Sequence, residues 1–507
     1  MAGSAASKSS EIRSRLNHPV IDSDGHTVEF LPGFYDVLRT VAGQRVVDRY
    51  RNELTANSPY GSLPNLTHWF ELTPERRRNQ RAPRPPWWAL PIQNTLDRAT
   101  AMLPKLMYQR LDEMGMDFSV IYPTVGLFAP HVEDEELRWA ACRAFNRFHA
   151  EIFEEFADRI AAVAVIPMHT PAEAVDELEY AVKTLGMKAV MMAGHVIRTV
   201  PAAAGAPPEI RRYATWLDNL CLDSEYDYDP VWAKCVELKV PATFHSIGMG
   251  WGSRTSISNW KYNHIGHFAA AGEALCKAMF FGGVTRRFPT LKCAFLEGGT
   301  AWACGLYADL VEHWGKRNRQ AVEQFNPKNL DYPKLRELFE SYGGKMVEGK
   351  LNGDHWWIDQ LSETPYNPEN PARHWERDEA MLDEWRRCEI KRREEIKDLF
   401  VPNFYFGCEA DDRLNAIAFN ARMNPYGARL NAVLSSDIGH WDVPDMREVL
   451  EEAHELVDDG LMTAEDFRDF AFVNPAGLWA SMNPDFFKRT VVEDAVAQLI
   501  GKPAKAA

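Results

Sequence analysis

The chain has 507 residues, 46% hydrophobic and 25% charged, enough apolar material for a large core. Lys and Arg number 57 against 72 Asp and Glu, a formal net charge of -15, so the basic stripe of a nucleic-acid partner is excluded. Residues 1–19 are small and polar, without the apolar centre of a secretory signal. No apolar run reaches the roughly 18 residues of a membrane span. The eight cysteines, at 142, 221, 235, 276, 293, 304, 388 and 408, contain no C-x-x-C pair and read as reduced core residues of a cytoplasmic protein.

Short apolar runs rich in β-branched and aromatic residues alternate with amphipathic stretches. The strand candidates are 19–26, 118–124, 161–169, 188–194, 241–248, 292–299, 403–410 and 431–440. Helical patterns lie between them at 136–160, 171–186, 301–317 and 443–460, the second opening with Pro and closing with Gly. Eight strands alternating with helices predict an α/β (β/α)8 TIM barrel rather than a doubly wound sheet, because polar residues cluster where strands end. The expected layout is one domain over 19–490, a flexible segment at 1–18 and a tail at 491–507. Insertions at 44–104, 196–228 and 318–402 are expected to cover the C-terminal face of the barrel or make subunit contacts. Within the third, WERDEAMLDEWRRCEIKRREEIKDLF reads as a solvated helix.

The first strand ends with Asp22, Asp24 and His26, which share one face because strand side chains repeat every two residues, and Glu29 follows. A carboxylate and an imidazole projecting together make two metal-ligand arms; a polar strand exit with a helix cap is the plain alternative. The fifth strand ends with His245, a ligand or a satisfied core histidine. The eighth ends with Asp437, with His440 three residues on; Asp437 suits a ligand that also accepts a proton, or a helix cap. Together, polar ends on strands one, five and eight converge on one face of a barrel.

DSDGHTVE, His245, RRFPTLKCAFLEGGTAW and SSDIGHWD, in this order, resemble the amidohydrolase-related proteins of the decarboxylase-type branch. That branch includes aminocarboxymuconate-semialdehyde decarboxylase, resorcylate-type decarboxylases and some carbon–carbon hydrolases, and the resemblance runs from about residue 19 to FVNPAGLWASMNP. It implies a divalent metal at the C-terminal mouth, held by Asp24, His26, His245 and Asp437. The first strand departs from the commoner H-x-H, since Asp24 replaces the first histidine. Two carboxylates with two histidines shift the preference from zinc toward manganese or iron, with zinc still open.

His264 and His267 share a face if helical and, with Glu297 at the end of the sixth strand, offer a second metal site. Structural histidines are the alternative, and Glu297 also reads as a partner orienting a ligand or as a helix-start residue. The expected activity is hydrolysis or non-oxidative decarboxylation of a small, partly apolar or aromatic-derived organic acid or amide. Asp437 would act as base or proton donor, with His245, His440 and Glu297 in the catalytic set. The alternatives are an oxygen-dependent monooxygenase with a dinuclear iron or iron/manganese centre, and a non-catalytic partner subunit. His169 is expected to face the pocket; Glu409, Asp411 and Asp412 are substrate-facing or capping; the arginine pairs at 211–212 and 286–287 are carboxylate-binding or solvated. Of the 16 tryptophans, many fall in the insertions and loops, with Trp251 and Trp441 expected at the substrate pocket. The expected partners are a small-molecule substrate and further copies of the chain.

Overall fold

The computed structural model describes residues 6–56, 66–86, 93–211, 213–247, 254–325, 329–353, 356, 382–440 and 442–501. Among the described residues there are ten strands: β1 Ile21–Thr27, β2 Phe118–Pro123, β3 Ile160–Ile166, β4 Ala189–Met192, β5 Val196–Thr199, β6 Thr215–Asp218, β7 Ala242–Phe244, β8 Cys293–Phe295, β9 Phe404–Cys408 and β10 Asn431–Leu434. Eight of them form one sheet in the order β1-β2-β3-β4-β7-β8-β9-β10, and every adjacent pair is parallel. With helices in the connections this is the expected (β/α)8 barrel. Its strands are short and almost wholly buried because side chains fill the inside and helices cover the outside, which is why they read as continuous apolar runs.

Across the seam the Asp437 amide donates to the Asp24 carbonyl (2.8 Å) and the His26 amide to the Ile438 carbonyl (2.7 Å). Those two bonds bring the ends of the first and last barrel strands together. The covering helices start where the sequence places caps. Asp134 accepts from the Leu137 amide before Glu135–Phe153, and Thr170 accepts from Glu173 before Pro171–Glu179. The longer of these lays Phe145 on Phe34, rings stacked 3.9 Å apart, beneath β1 and β2.

Several expectations are corrected. The segment 1–18 is not loose throughout: Lys8–Arg15 is a helix capped by the Ser7 hydroxyl, with Ser9 and Ile12 buried. The tail likewise carries a helix, Glu493–Ile500, which buries Val496. The insertion at 196–228 contains an antiparallel ribbon, β5 with β6. The solvated helix of the third insertion is, in its described part, a turn of 3-10 helix at Arg386–Cys388 and a short helix Glu395–Phe400, interrupted at Glu389 with φ of 49°. The chain divides into two compact units, 1–307 with 397–507, and 308–396. The first contains the whole barrel; the second takes in most of the third insertion. Among the described residues no helix is long and apolar enough to cross a membrane.

Candidate metal centre

Asp24 and His26 leave β1 fully buried, and a register shift between Asp22 and Gly25 re-aims that strand end. The His26 Nδ1 lies 3.1 Å from the Pro123 carbonyl, an acceptor, so Nδ1 carries the hydrogen and Nε2 presents a lone pair. That Nε2 is 3.4 Å from Asp24 Oδ1 and 3.4 Å from Asp437 Oδ1. His245, at the end of β7, repeats the device: Nδ1 donates to the Ser246 carbonyl at 2.7 Å and Nε2 faces Glu297 Oε2 at 2.9 Å. The two imidazoles meet edge to face, centroids 4.9 Å apart.

The centre is therefore built of acceptors. One ligand atom from each of Asp24, His26 and His245 falls within 4.8 Å of the others, as does one from each of His26, Glu297, Asp437 and His440. Neither oxygen of Asp24 or Asp437, nor Nε2 of His26 or His245, has a hydrogen-bond donor, although all are buried. Burial and mutual repulsion raise Asp24, Glu297 and Asp437 well above the ordinary carboxylate range. Burial first, then the neighbouring histidines, pushes His26 well down. Bare carboxylates and bare imidazole nitrogens aimed at one buried point fit a divalent cation. Glu297 and Asp437 both sit at positive φ, 58° and 51°, strained backbone at two strand ends of the same centre.

His440 stacks on His26 at 3.7 Å. Its Nδ1 is 2.7 Å from Asp437 Oδ1 and its Nε2 is 3.1 Å from the Thr124 hydroxyl. Burial takes it down to about 3, so the ring is neutral; Nε2 is hydrogen-bonded with the Thr124 hydroxyl, and Nδ1 makes a close polar contact with the Asp437 carboxyl group. Thr124 was not singled out in the sequence, and nothing in its local pattern marks it.

A cavity of about 340 Å3 opens beside Glu297, lined by the acidic residues Glu409, Asp412 and Asp442 and by His264, Ile265, Phe268 and Ala269. Glu297, Glu409 and Asp442 form a third cluster of candidate ligand atoms within 4.8 Å. Burial, then Glu297, moves Glu409 up to about 9. Glu409 was read as substrate-facing or capping; Asp442 was not singled out.

The expected trio of His264, His267 and Glu297 does not assemble. The helix carrying His264 stops at that residue, Gly266 takes the left-handed conformation with φ of 74°, and a new helix starts at His267. The two histidines therefore do not share a helical face. His264 stacks on Trp260 and lines the cavity, whereas His267 interacts with His195. That histidine belongs to a second group, with His131 and His195 at 5.4 Å between rings and His169 nearby, all lowered by burial.

Glu29 is not a ligand: it accepts the Val125 and Gly126 amides and fixes the turn after β2. Asp412 caps the 3-10 helix Arg413–Phe419 and also lines the cavity; Asp411 is exposed. Arg287 is taken up by Asp229 and the Gly282 carbonyl. Trp251, Trp441 and Arg212 lie outside the described residues.

The amidohydrolase family model matches residues 30–347, more than half of the chain. The chain belongs to the amidohydrolase family. The match contains His245 and Glu297; Asp24, His26 and Asp437 lie outside it. Similar solved structures include a manganese-bound dihydroxybenzoic acid decarboxylase from Polaromonas, 15% identical over 91% of this chain and 97% of that one, TM-score 0.46. An amidohydrolase from Mycobacterium avium subsp. paratuberculosis is 16% identical over 92% of this chain and 100% of its own, TM-score 0.47. A 5-carboxyvanillate decarboxylase from Novosphingobium aromaticivorans, with bound manganese, is 12% identical over 91% and 97%, TM-score 0.48. The oxygen-dependent alternative gains no support from these comparisons.

Proposed function

We propose that this amidohydrolase-family chain is a metal-dependent hydrolase or carboxy-lyase acting on a small, partly apolar or aromatic-derived organic acid or amide. One observation carries the reading: two buried groups that share His26, one with Asp24 and His245 and the other with Glu297, Asp437 and His440, leave both oxygens of Asp24 and Asp437, Glu297 Oε2 and Nε2 of His26 and His245 without a hydrogen-bond partner. Asp24, His26, His245 and Asp437 would hold the ion, with Glu297 against His245; the mixed oxygen and nitrogen set suits manganese, iron or zinc. When bound, the ion supplies Lewis-acid polarisation of a substrate oxygen.

The chain's own groups divide the remaining work. Asp437 handles the proton, delivering it to a carbon in decarboxylation or accepting one in hydrolysis, with the His440 imidazole packed 2.7 Å from its Oδ1. Ile265, Phe268 and Ala269 give the cavity an apolar wall. Glu409, Asp412 and Asp442 repel a free carboxylate and accept from hydroxyl or amine groups, so an acidic substrate would enter with its anionic end toward the ion and its donors toward this wall. Glu297, Glu409 and Asp442 are the set that would take a second ion, in place of His264 and His267. The reading keeps a cytoplasmic, homo-oligomeric enzyme, in line with eight free cysteines of which seven are buried.

Elemental analysis joined to anaerobic turnover tests this. About one equivalent of manganese, zinc or iron, with turnover of hydroxybenzoate-type acids or small amides without oxygen, is the expected result; a His245→Ala variant should lose both. Wild-type protein that acquires no divalent ion, or a His245→Ala variant that retains metal and full activity, would overturn it.

A further inference from the structure

We propose that Asp22 is a positioning residue for the metal centre, acting through the backbone on both Asp24 and Asp437; the inference rests on the metal reading above. Asp22 is fully buried, two residues before Asp24 on β1, yet takes no place among the clustered ligand atoms. Its carboxylate is spent on four donors. Oδ1 accepts the Asp24 amide at 3.2 Å and the Ser436 amide at 2.8 Å. Oδ2 accepts the Ser436 hydroxyl at 2.8 Å and the Ser119 hydroxyl of β2.

Those donors stand on three neighbouring segments: β1, β2 and the stretch following β10. One donor is a proposed ligand itself, and another immediately precedes the second acidic ligand. Asp437 is held at a φ of 51°, which a non-glycine residue keeps only when its surroundings over-determine it, and here the amide on its N-terminal side is pinned by Asp22. The Asp437 amide in turn donates to the Asp24 carbonyl. One carboxylate thus fixes the backbone at both acidic ligands and at the seam they share. The space around it is tight: a Cβ on Gly25 would lie 2.7 Å from Asp22 Oδ2. A buried carboxylate is costly unless every lone pair is used, and this one is used wholly to orient other groups.

Losing a partner that orients metal ligands typically weakens metal affinity about 10- to 100-fold. Manganese titration of the full-length apo-protein, below the melting temperature of each variant, tests the role. Asp22→Ala should bind manganese about 10-fold or more weakly than wild type. Asp22→Asn should stay close to wild type, because Oδ1 still accepts both amides while the serine hydroxyls rotate to accept from the amide nitrogen. Ser436→Ala should fall between. A structural role alone would lower the melting temperature of Asp22→Ala and leave affinity unchanged, which overturns the inference. Where Asp22→Ala does not fold, Ser436→Ala decides: unchanged affinity overturns it. Wild type and His245→Ala serve as the reference pair. No binding by wild type sinks the metal reading itself, whereas tight wild-type binding lost in His245→Ala and kept in Asp22→Ala sinks only the role of Asp22.

Discussion

His245 Nε2 and Glu297 Oε2 face each other across 2.9 Å, and because the His245 Nδ1 hydrogen is given to the Ser246 carbonyl, only a proton on Glu297 or a bound cation can join them. Two acceptors at that distance repel unless a proton or a cation joins them. The local conflict is the mark of a site whose stable state includes a ligand.

Glu297→Gln should relieve that conflict. Its amide nitrogen can donate to His245 Nε2, so the chelator-treated variant should melt higher than chelator-treated wild type, by about 1–3 °C for a chain of this size. The same variant should bind manganese or zinc less tightly, because a neutral amide replaces a carboxylate. Differential scanning fluorimetry with and without metal reads both effects; a variant that is destabilised when metal-free contradicts the account.

The metal-free protein should lose stability as pH rises from about 7.5 to 9. Glu409 is pushed up to about 9, and Glu297 and Asp437 are raised as well, so the folded state holds protons that the unfolded chain has already released. The unfolded state then binds fewer protons than the native state, and unfolding free energy falls with pH. His26 and His440, lowered by burial, are neutral in the native state, and in the unfolded chain they have lost their protons by about pH 7.5, so above that pH they contribute nothing to the slope. Metal-saturated protein should show a flatter profile, since the ion replaces those protons. Thermal melts at half-unit pH steps, with and without chelator, check it; parallel curves would count against a cation at these carboxylates.

Gly439→Ala should be strongly destabilising and should disturb the site. Gly439 has a φ of 94°, and an added Cβ would fall 2.4 Å from the His26 carbonyl oxygen, a backbone atom that cannot turn aside. Backbone strain and the clash together should cost about 2–4 kcal/mol. Urea denaturation gives the number, and a loss under 1 kcal/mol would mean the loop repacks freely.

The barrel was legible because its strands are buried on both faces: runs such as AAVAVIP and NAVLSS show continuous apolar character, and their ends are marked by the polar residues that make the site. Barrel closure brings the three strand ends that carry Asp24 with His26, His245 and Asp437 into two groups that share His26. Other features depended on local backbone that spacing does not reveal. His264 and His267 have helical spacing, but the left-handed Gly266 breaks the helix between them. The β5–β6 ribbon was hidden by four-residue strands flanking a Pro- and Ala-rich stretch. Asp442 looks like an ordinary loop acid; only the meeting of the segments after β8, β9 and β10 sets it beside Glu297 and Glu409. The histidine tautomers, on which the chemistry turns, are set by carbonyls of Pro123 and Ser246 that no side-chain pattern encodes.

Glu409→Gln should separate stability from function. Glu409 is largely buried, repelled chiefly by Glu297, and lines a cavity with no Lys or Arg among its described lining residues. At pH 8 the folded protein keeps a proton on Glu409 that the unfolded chain has released, and a glutamine needs none, so the metal-free variant should gain about 1 kcal/mol or more at that pH. The affinity of the His245 centre for its ion should change little, because Glu409 shares a cluster with Glu297 and Asp442 but not with Asp24, His26 or His245. Any second equivalent of metal should be lost, and the KM for a donor-bearing substrate should rise several-fold while kcat changes less. Metal counting on Glu409→Gln beside wild type, with steady-state kinetics, resolves these effects. Loss of the first equivalent as well would show that Glu409 belongs to the inner centre rather than to the substrate-facing wall.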